Sequence, residues 1–440
     1  MLTSQNNVLT FWRDLTPLST PLYAPTSSSP RILVVGGGVI GLVTAWALLD
    51  RGYHVTIIAK QWASYGKEQR LASQIAGALW EFPPAVCGQH TDHISLQYSK
   101  RWCMVAYHIW DALATADPTA SGVRMKTADF FFPMPVEKDE TQMAKMVELM
   151  ASGVRGFRHD ARIIEETGVD RTYGAVDAYE HLAPVIDTDT CMLYLQGLVA
   201  AKGATLITQT ITGDLFDQER SLLSEHQASA IINATGLSGT ELAGDETCYP
   251  IRGALIRVLN DGTRFPKLDR ALTISADVAA GEIVFLVPRT DDVLLIGGLT
   301  QAHEHALDLT LDAPAVRRMR ARCDAFLPGL RRAALDPDYP LAQGLRPFRG
   351  SNVRVERELR RHAAEAGGAV PSRIVHNYGH GGAGWSLCFG CAGDVLALVE
   401  ETLLDLPPTA MRVEAGAPKV PELGRVASGG SIERHAKARL

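Results

Sequence analysis

The sequence predicts an α/β protein in which one α/β domain is interrupted along the chain by a second, β-rich domain. Two glycine-rich segments support this, one near each end of the 440 residues, and each lies between a predicted strand and a predicted helix. The third observation is a run of strand-like segments between them. Strands that alternate with helices at both ends, with strand-rich sequence between, favour this interleaved arrangement.

Composition excludes several classes of protein. Hydrophobic residues make up 46% and charged residues 21%, which is typical of a globular chain and excludes disorder over most of its length. Forty-three basic against 49 acidic residues give a net charge of −6, without the basic excess of a nucleic-acid-binding protein. Seven cysteines are too few for a disulfide scaffold.

Both ends of the chain have the composition of irregular segments. Residues 1–30 are rich in Ser, Thr and Pro, and we expect a flexible extension without the pattern of a secretory signal. Residues 406–440 are expected to form a tail. The last three residues, Ala438-Arg439-Leu440, are a variant of the small-basic-leucine peroxisomal signal, which short segments also match by chance.

Eighteen consecutive uncharged residues, Ile32 to Leu49, have the length of a membrane-span candidate. Their internal pattern favours a different structure, because a short β-branched run is followed by three glycines and then by small and apolar residues. Tyr53 to Ala59 then predicts a second strand. Strand, glycine turn, helix and strand within about 30 residues form a βαβ unit.

The glycine turn itself reads Gly36-x-Gly38-x-x-Gly41. The first glycine permits the turn, the second lets the backbone approach a pyrophosphate, and the third lets the helix pack on the strand. In this context the motif predicts dinucleotide binding at a helix N-terminus. The acid expected at the end of the second strand is absent, and Lys60 either contacts a ribose or phosphate or is a solvated lysine.

Further elements follow from periodicity. Leu96–Ala114 is predicted to be a helix with Trp102, Val105, Ile109 and Leu113 on one face, and helices are also predicted over 189–201, 314–327 and 390–404. Apolar or alternating runs predict strands over 204–211, 229–233, 250–259, 282–287 and 293–297.

The second glycine-rich segment carries a resemblance to a known family. Ile374 to Ala392, IVHNYGHGGAGWSLCFGCA, matches every specified position of the signature of the D-amino-acid oxidase family of flavoproteins. Shorter similarities lie at Ser73–Trp80, Asn233–Gly236, Leu286–Arg289 and Gly344–Pro347. Together they extend the resemblance from Arg31 to Leu404.

The resemblance implies a Rossmann-type FAD-binding domain interleaved with a mixed, β-rich substrate-binding domain. The expected FAD-binding segments are 31–80, 185–245 and 343–405, and the expected substrate-binding segments are 81–184 and 246–342. Family members hold FAD non-covalently and transfer the α-hydrogen of a D-amino acid as hydride to the flavin. The products are a 2-oxo acid, ammonia and hydrogen peroxide, with oxygen as the acceptor.

The resemblance also assigns roles to residues. Arg346 is expected to bind the substrate carboxylate from a turn, Gly382 to accept a hydrogen bond from the substrate amine, and Phe285 to cover the substrate. The alternative for Arg346 is a structural ion pair with Glu356 or Asp338. The expected FAD-binding residues are Gly36, Gly37, Gly38, Val39, Ile40, Gly41, Lys60, Ser73, Ala78, Leu79, Ile211, Gly236, Gly381, Gly384, Trp385 and Ser386.

The sequence departs from the family where two tyrosines are usual, because these positions are Phe285 and Gly281. Loss of a hydrogen bond to a charged carboxylate costs about 1.5–3 kcal/mol, so the departure predicts weaker binding or a less usual substrate. A shifted alignment would let another tyrosine, such as Tyr249, serve. Tyr378 is expected to be structural, and Cys388 and Cys391 to be packed thiols. No metal site is expected.

Alternatives to a D-amino-acid oxidase stay open at this point. They are a related flavin oxidase of glycine, N-methyl or cyclic imino acids, a biosynthetic tailoring oxidase, a nicotinamide-dependent dehydrogenase, and a flavin-binding homologue without catalysis. The expected partners are a small amine-carboxylate substrate and oxygen, with a homodimer as the expected assembly and neither nucleic acid nor membrane. We expect a cytoplasmic location, with the peroxisome as the alternative.

Overall fold

The computed structural model describes residues 8–66, 68–85, 93–277, 282–350, 352–364 and 368–408. The strands are β1 (Arg31–Val35), β2 (His54–Ala59), β3 (Val123–Phe132), β4 (Arg158–His159), β5 (Asp177–Ile186), β6 (Thr205–Thr208), β7 (Ala230–Asn233), β8 (Cys248–Leu259), β9 (Ala271–Asp277), β10 (Glu282–Pro288), β11 (Val293–Gly297), β12 (Gln301–Ala302), β13 (Leu341–Arg349), β14 (Arg354–Arg357), β15 (Arg361–Ala363), β16 (Ala369–Pro371) and β17 (Ile374–Tyr378).

The helices are α1 (Val39–Asp50), α2 (Ala72–Ile75), α3 (His93–Ala116), α4 (Pro118–Ser121), α5 (Glu140–Ala151), α6 (Ile163–Glu166), α7 (Thr188–Ala201), α8 (Glu219–Glu225), α9 (Gly239–Leu242), α10 (Pro314–Phe326) and α11 (Gly384–Leu403). Short 3-10 helices lie at 136–138, 171–173, 236–238 and 328–332.

One sheet has six strands in the order β14-β17-β7-β1-β2-β6 and is called the small sheet here. All of its strands are parallel except the edge strand β14. Ile32 and Val34 of β1 face a core shared with α1, α3, α7 and α11, whereas Leu33 and Val35 face a smaller core. Burial on both faces explains why these strands are almost wholly apolar.

The second sheet, called the large sheet here, has nine strands. Its path is β12-β8-β11-β10-β9-β3-β5-β4, and β13 pairs along the whole of its length with β8. The sequence places most of β13 in the FAD-binding segment that begins at residue 343, yet its hydrogen bonds belong to the large sheet. β13 therefore carries Arg346 on the large sheet and then leads the chain back to β14 of the small sheet.

The predicted helix over 96–114 is confirmed as α3, and its four predicted core residues are all buried. The helix predicted over 390–404 begins six residues earlier, at Gly384, so Gly384, Trp385 and Ser386 belong to its first turn. The density of glycines suggests a loop there, but the chain is already helical from Gly384, where the side chain of Trp385 packs in the core.

The run from Ile32 to Leu49 is divided between β1, the glycine turn and α1, as its pattern predicts. Within the part of the chain that the structure describes, we find no helix with the length and apolarity needed to span a membrane.

The prediction of a flexible N-terminal extension is wrong for residues 8–30. Leu15 is fully buried, and the side chain of Asp50 at the end of α1 accepts hydrogen bonds from the backbone N–H of Thr16 (2.8 Å) and Leu22 (3.0 Å). Lys202 completes this cluster with Asp50 at 2.6 Å, and neither side chain is exposed. A buried ion pair needs further polar partners, which the extension provides.

Candidate active site

A cavity of about 500 Å³ lies between the carboxyl ends of the small-sheet strands and one face of the large sheet. All of the predicted site residues line this cavity except Gly41. Residues that are far apart in the sequence, such as Gly36, Phe285 and Arg346, therefore share one site. Their roles in it are still predictions.

The glycine turn has no room for side chains. Gly36 has a φ of +127°, and a Cβ atom there would lie 2.3 Å from the carbonyl oxygen of Ala234 at the end of β7. A Cβ on Gly41 would lie 1.9 Å from the carbonyl oxygen of Gly36. Gly41 thus lets α1 pack against the turn without contacting the cavity itself. The N-terminus of α1 opens onto the cavity, where its N–H groups and its dipole favour an anion.

Ser73 connects this turn to the glycine-rich segment at the other end of the chain. Its hydroxyl oxygen accepts a hydrogen bond from the backbone N–H of Val39 at 3.1 Å. Its carbonyl oxygen accepts one from the indole N–H of Trp385 at 2.9 Å. The starts of α1 and α11 are therefore held at one wall of the cavity.

The loop before α11 packs directly on β13. The backbone N–H of Gly381 donates to the carbonyl oxygen of Pro347 at 2.8 Å. Because Pro347 follows Arg346, this contact brings Gly382 and Arg346 to the same part of the cavity.

Arg346 lies within strand β13, which corrects the prediction of a turn. Its guanidinium group lies across Gly253 of β8, where a Cβ atom would be 2.5 Å from the guanidinium carbon. Its Nη1 donates to the carbonyl oxygen of Leu299 at 3.1 Å. Arg346 pairs with no carboxylate among the described residues, so neither predicted partner, Glu356 nor Asp338, forms an ion pair with it. Glu356 instead pairs with Arg354 at 2.9 Å. A planar cation thus faces the cavity, and the part of the chain that the structure describes supplies no counter-ion to it.

Phe285 lies on β10, opposite Thr273 of β9. Its ring covers Gly77, where a Cβ would be only 2.5 Å from the ring. Gly281, the other position that departs from the family, lies outside the described residues. Tyr249 does not line the cavity and stacks on His303 at 4.6 Å, so it does not replace the missing hydroxyl.

Tyr378 is buried, and its hydroxyl donates to Asp245 at 2.8 Å and accepts from Arg354 at 2.7 Å, as a structural residue would. Cys388 and Cys391 are fully buried free thiols, and burial raises the pKa of both.

Within the described residues one group has metal-ligand spacing: Glu137, His159 and Asp177. Both oxygens of Asp177 already accept hydrogen bonds, from the backbone N–H groups of Val136 and Ala178 and from His159, so the cluster is explained by its own contacts.

Comparison with known proteins gives the same assignment as the signature. A family model described as FAD dependent oxidoreductase matches residues 31–398. The chain belongs to this family. A D-amino-acid oxidase of Streptomyces coelicolor is 30% identical over 372 residues, covering 84% of this chain and 96% of the relative. A D-amino-acid oxidase of Rubrobacter xylanophilus is 31% identical over 375 residues, covering 85% and 97%.

A solved structure supports the family fold. Glycine oxidase from Geobacillus kaustophilus superposes with a TM-score of 0.62 at 18% identity, covering 85% of this chain and 95% of that structure. At this identity the likeness concerns the fold alone, and it confirms the predicted architecture of a Rossmann-type domain with a β-rich substrate domain.

FAD is the cofactor of this family, and the cavity fits it. The side-chain oxygen of Asn377 and Nε2 of His380 are buried and find no hydrogen-bond partner among the described residues, and both residues line the cavity. Burial lowers the pKa of His380 to about 3, so its ring is neutral at pH 7. Buried polar atoms without partners are costly, and a polar cofactor would satisfy them. The glycine turn and the N-terminus of α1 would hold its pyrophosphate.

Sequence reasoning missed several residues that line the cavity. They are Glu81, Thr273, Glu241, Asn377 and His380. Asn377 and His380 lie within the signature, so a residue-by-residue reading of it would have included them. Thr273 and Glu241 come from segments without a distinctive motif, and only strand pairing and packing bring them to the site.

Proposed function

We propose that the protein is an FAD-dependent oxidase that converts D-amino acids to 2-oxo acids, ammonia and hydrogen peroxide. The observation that carries this proposal is the guanidinium of Arg346, which has no carboxylate partner among the described residues and faces the cavity next to the loop of Gly381 and Gly382. A planar guanidinium matches a carboxylate through two parallel hydrogen bonds. The two D-amino-acid oxidases at 30% and 31% identity support this substrate class.

The chain's own residues bind and orient the substrate. Arg346 would hold the carboxylate, the carbonyl oxygen of Gly382 would accept a hydrogen bond from the amine, and the ring of Phe285 would cover the substrate. Three fixed points define the face of the α-carbon that is presented for reaction. When bound, FAD supplies the two-electron oxidation, and oxygen takes up the electrons.

A second candidate is a related oxidase with a less usual amine or imino-acid substrate, including glycine. It is favoured by Phe285, which lacks the hydroxyl usual in the family, and by the absence of Tyr249 from the cavity. If carboxylate binding depends on Arg346 alone, small substrates are held weakly, so within this second candidate N-substituted or cyclic substrates with more apolar contact gain relative to glycine.

Anaerobic reduction of the flavin by a panel of D-amino acids, L-amino acids and glycine tests both candidates. Bleaching of the flavin absorbance by D- but not L-isomers supports the first candidate, with peroxide detection after oxygen is admitted. Reduction only by glycine or N-substituted amino acids supports the second. A holoprotein that none of the panel reduces contradicts both.

A homodimer and a cytoplasmic or peroxisomal location stay predictions of the sequence. Ala438, Arg439 and Leu440 lie outside the described residues. Gel filtration of the holoprotein tests the homodimer directly.

A further inference from the structure

An acidic side chain, Glu81, lines the cavity that would hold the substrate. It belongs to the segment Gly77–Phe82, which runs beside β5: the backbone N–H of Trp80 donates to Pro184 at 3.0 Å, and Leu79 bridges Val185. In such an extended segment, side chains alternate between two faces. Trp80 and Phe82 are accordingly buried in the core, while Leu79 and Glu81 face the cavity.

The position of Glu81 along this segment determines how far it lies from Phe285, the residue expected to cover the substrate. Gly77 lies directly under the ring of Phe285. Glu81 is four residues farther along the chain, and Ala78 between them has a φ of +49°, so the two residues lie within about 13 Å of each other, the length of four extended residues. A side chain of four or five bonds that is held near Phe285 would extend toward Glu81, whereas the methyl group of D-alanine has no cationic group for it to bind.

A buried lysine fixes the carboxylate of Glu81. Nζ of Lys145, from α5, lies 2.8 Å from Oε1 of Glu81 and 2.8 Å from the carbonyl oxygen of Pro84. The side chain of Lys145 is 4% exposed and that of Glu81 is 27% exposed, so the negative end of the pair is the accessible one. The ion pair therefore fixes one oxygen of a partly exposed carboxylate, and among the described residues no hydrogen bond is made to the second oxygen.

The other charged groups of the cavity have different positions. Arg346 is expected to take the substrate carboxylate. Glu241 lies on α9, beside the small sheet, where its Oε1 accepts a hydrogen bond from Gly213 at 3.0 Å. Lys60 lies at the end of β2. Within the described lining, Glu81 is thus the acidic group on the side of the large sheet.

We propose that Glu81 is a specificity-determining residue that favours D-amino acids with a cationic group at the end of a long side chain. Its free oxygen would accept a hydrogen bond from the ammonium group of a lysine-like side chain or the guanidinium group of an arginine-like one. This inference rests on the proposed D-amino-acid oxidase function. Charge-assisted hydrogen bonds in a partly buried site are among the strong ones, so the preference should be measurable.

The test compares D-lysine with D-norleucine, which has the same number of side-chain carbons but no ammonium group. In the unaltered holoprotein we expect kcat/KM for D-lysine to exceed that for D-norleucine by roughly tenfold, as one hydrogen bond to a charged group would give. Glu81→Gln should abolish this ratio. The matched control Glu148→Gln removes another lysine-paired glutamate, the partner of Lys100, which does not line the cavity, and should leave the ratio unchanged.

Because Glu81→Gln leaves the buried ammonium of Lys145 unpaired, the variant has a risk of misfolding. The double variant Glu81→Gln/Lys145→Met removes both charges and leaves no unpaired ammonium. It should also lose the preference for D-lysine. An unaltered protein that oxidises D-lysine and D-norleucine equally well, or a double variant that keeps the preference, overturns the proposal.

Failure of this inference differs from failure of the proposed function. If neither D-norleucine, D-alanine nor D-lysine reduces the flavin of the unaltered holoprotein, the oxidase function itself is wrong. If D-norleucine and D-alanine reduce it and the Glu81 substitutions leave the ratio between D-lysine and D-norleucine unchanged, only the role of Glu81 is wrong.

Discussion

The small sheet and the large sheet build their sides of the cavity in different ways. The small sheet contributes mainly backbone: the glycine turn after β1, the end of β7 and the first turn of α11. The large sheet contributes side chains, among them Phe285 from β10, Thr273 from β9 and Arg346 from β13. Backbone geometry suits a cofactor that all members of the family share, whereas side chains set which substrate is accepted.

This difference predicts that damage to the two sides has separable effects. A change on the side of the small sheet should remove FAD, and activity with it. A change on the side of the large sheet should leave FAD bound and alter only the reaction with substrate. Four substitutions, in decreasing order of expected effect, test this separation.

Gly41→Ala should abolish FAD binding and activity together. The new Cβ would lie 1.9 Å from the carbonyl oxygen of Gly36, so the turn and α1 cannot both keep their positions. Flavin absorbance of the purified protein measures the loss. The control Gly197→Ala lies in α7 with no atom within 4 Å of the added Cβ, and should keep FAD. Full flavin occupancy in Gly41→Ala would contradict the proposal that the small-sheet side of the cavity binds FAD.

Arg346→Ala should keep FAD and lose turnover. Two hydrogen bonds to a carboxylate, at about 1.5–3 kcal/mol each, correspond to a fall in kcat/KM of roughly 10²- to 10⁴-fold. Steady-state peroxide production measures the fall, with flavin absorbance on the same sample. The exposed Arg332→Ala serves as the control and should be unaffected. Unchanged turnover in Arg346→Ala would mean that another group binds the carboxylate.

Asp50→Asn should lower the stability of the fold on the side of the small sheet and leave substrate binding unchanged. The substitution leaves Lys202 fully buried without its counter-ion, which typically costs 3–5 kcal/mol. Urea unfolding of the holoprotein should show a lower midpoint, whereas KM for the substrate should stay unchanged. Asp217→Asn, at an exposed position, is the control. An unchanged midpoint would mean that the extension and Lys202 do not depend on this carboxylate.

The smallest effect concerns the connection between the two sheets. Asp245 accepts hydrogen bonds from Arg349 of β13 at 2.6 Å and from Tyr378 of β17 at 2.8 Å. It therefore links one strand of the large sheet to one strand of the small sheet. Burial raises the pKa of Asp245, but hydrogen bonds from Thr247 and Tyr378 and the charge of Arg349 outweigh burial and lower the pKa to about 2.

In the unfolded chain the pKa of an aspartate is about 3.9. The lower pKa of Asp245 in the fold therefore contributes about 2–3 kcal/mol to the free energy of unfolding above pH 4, and this contribution is lost as the pH falls toward 2. Asp245→Asn should therefore lower the free energy of unfolding at pH 7 and have a smaller effect at pH 3.5. Denaturant titrations at the two values measure the difference, again with Asp217→Asn for comparison. An equal effect at both values would contradict the assigned pKa.

The same contrast explains how much the sequence could predict. The glycine turn lies in one contiguous βαβ unit and the signature in one strand-loop-helix, so local pattern predicts both. Phe285 and Arg346 could be assigned only through the family resemblance. Glu81 and Thr273 lie in the site because a strand register and a segment beside β5 bring them there, and no local periodicity carries that information. The extension was mispredicted because its order depends on Asp50 and Lys202, which are distant in the sequence.

One further consequence concerns Arg289, which follows Pro288 of β10 and is fully buried. Its guanidinium donates to the carbonyl oxygens of Ala76 and Ile186. The hairpin of β10 and β11, which carries Phe285, is therefore hydrogen-bonded to the segment that begins at Ser73. That segment touches the turn expected to hold the cofactor and, through Gly77, the ring expected to cover the substrate. The expected cofactor and substrate sites therefore share one continuous segment, and thermodynamic linkage makes any coupling between them reciprocal. Whatever factor a carboxylate inhibitor adds to the affinity for FAD, FAD must add to the affinity for that inhibitor.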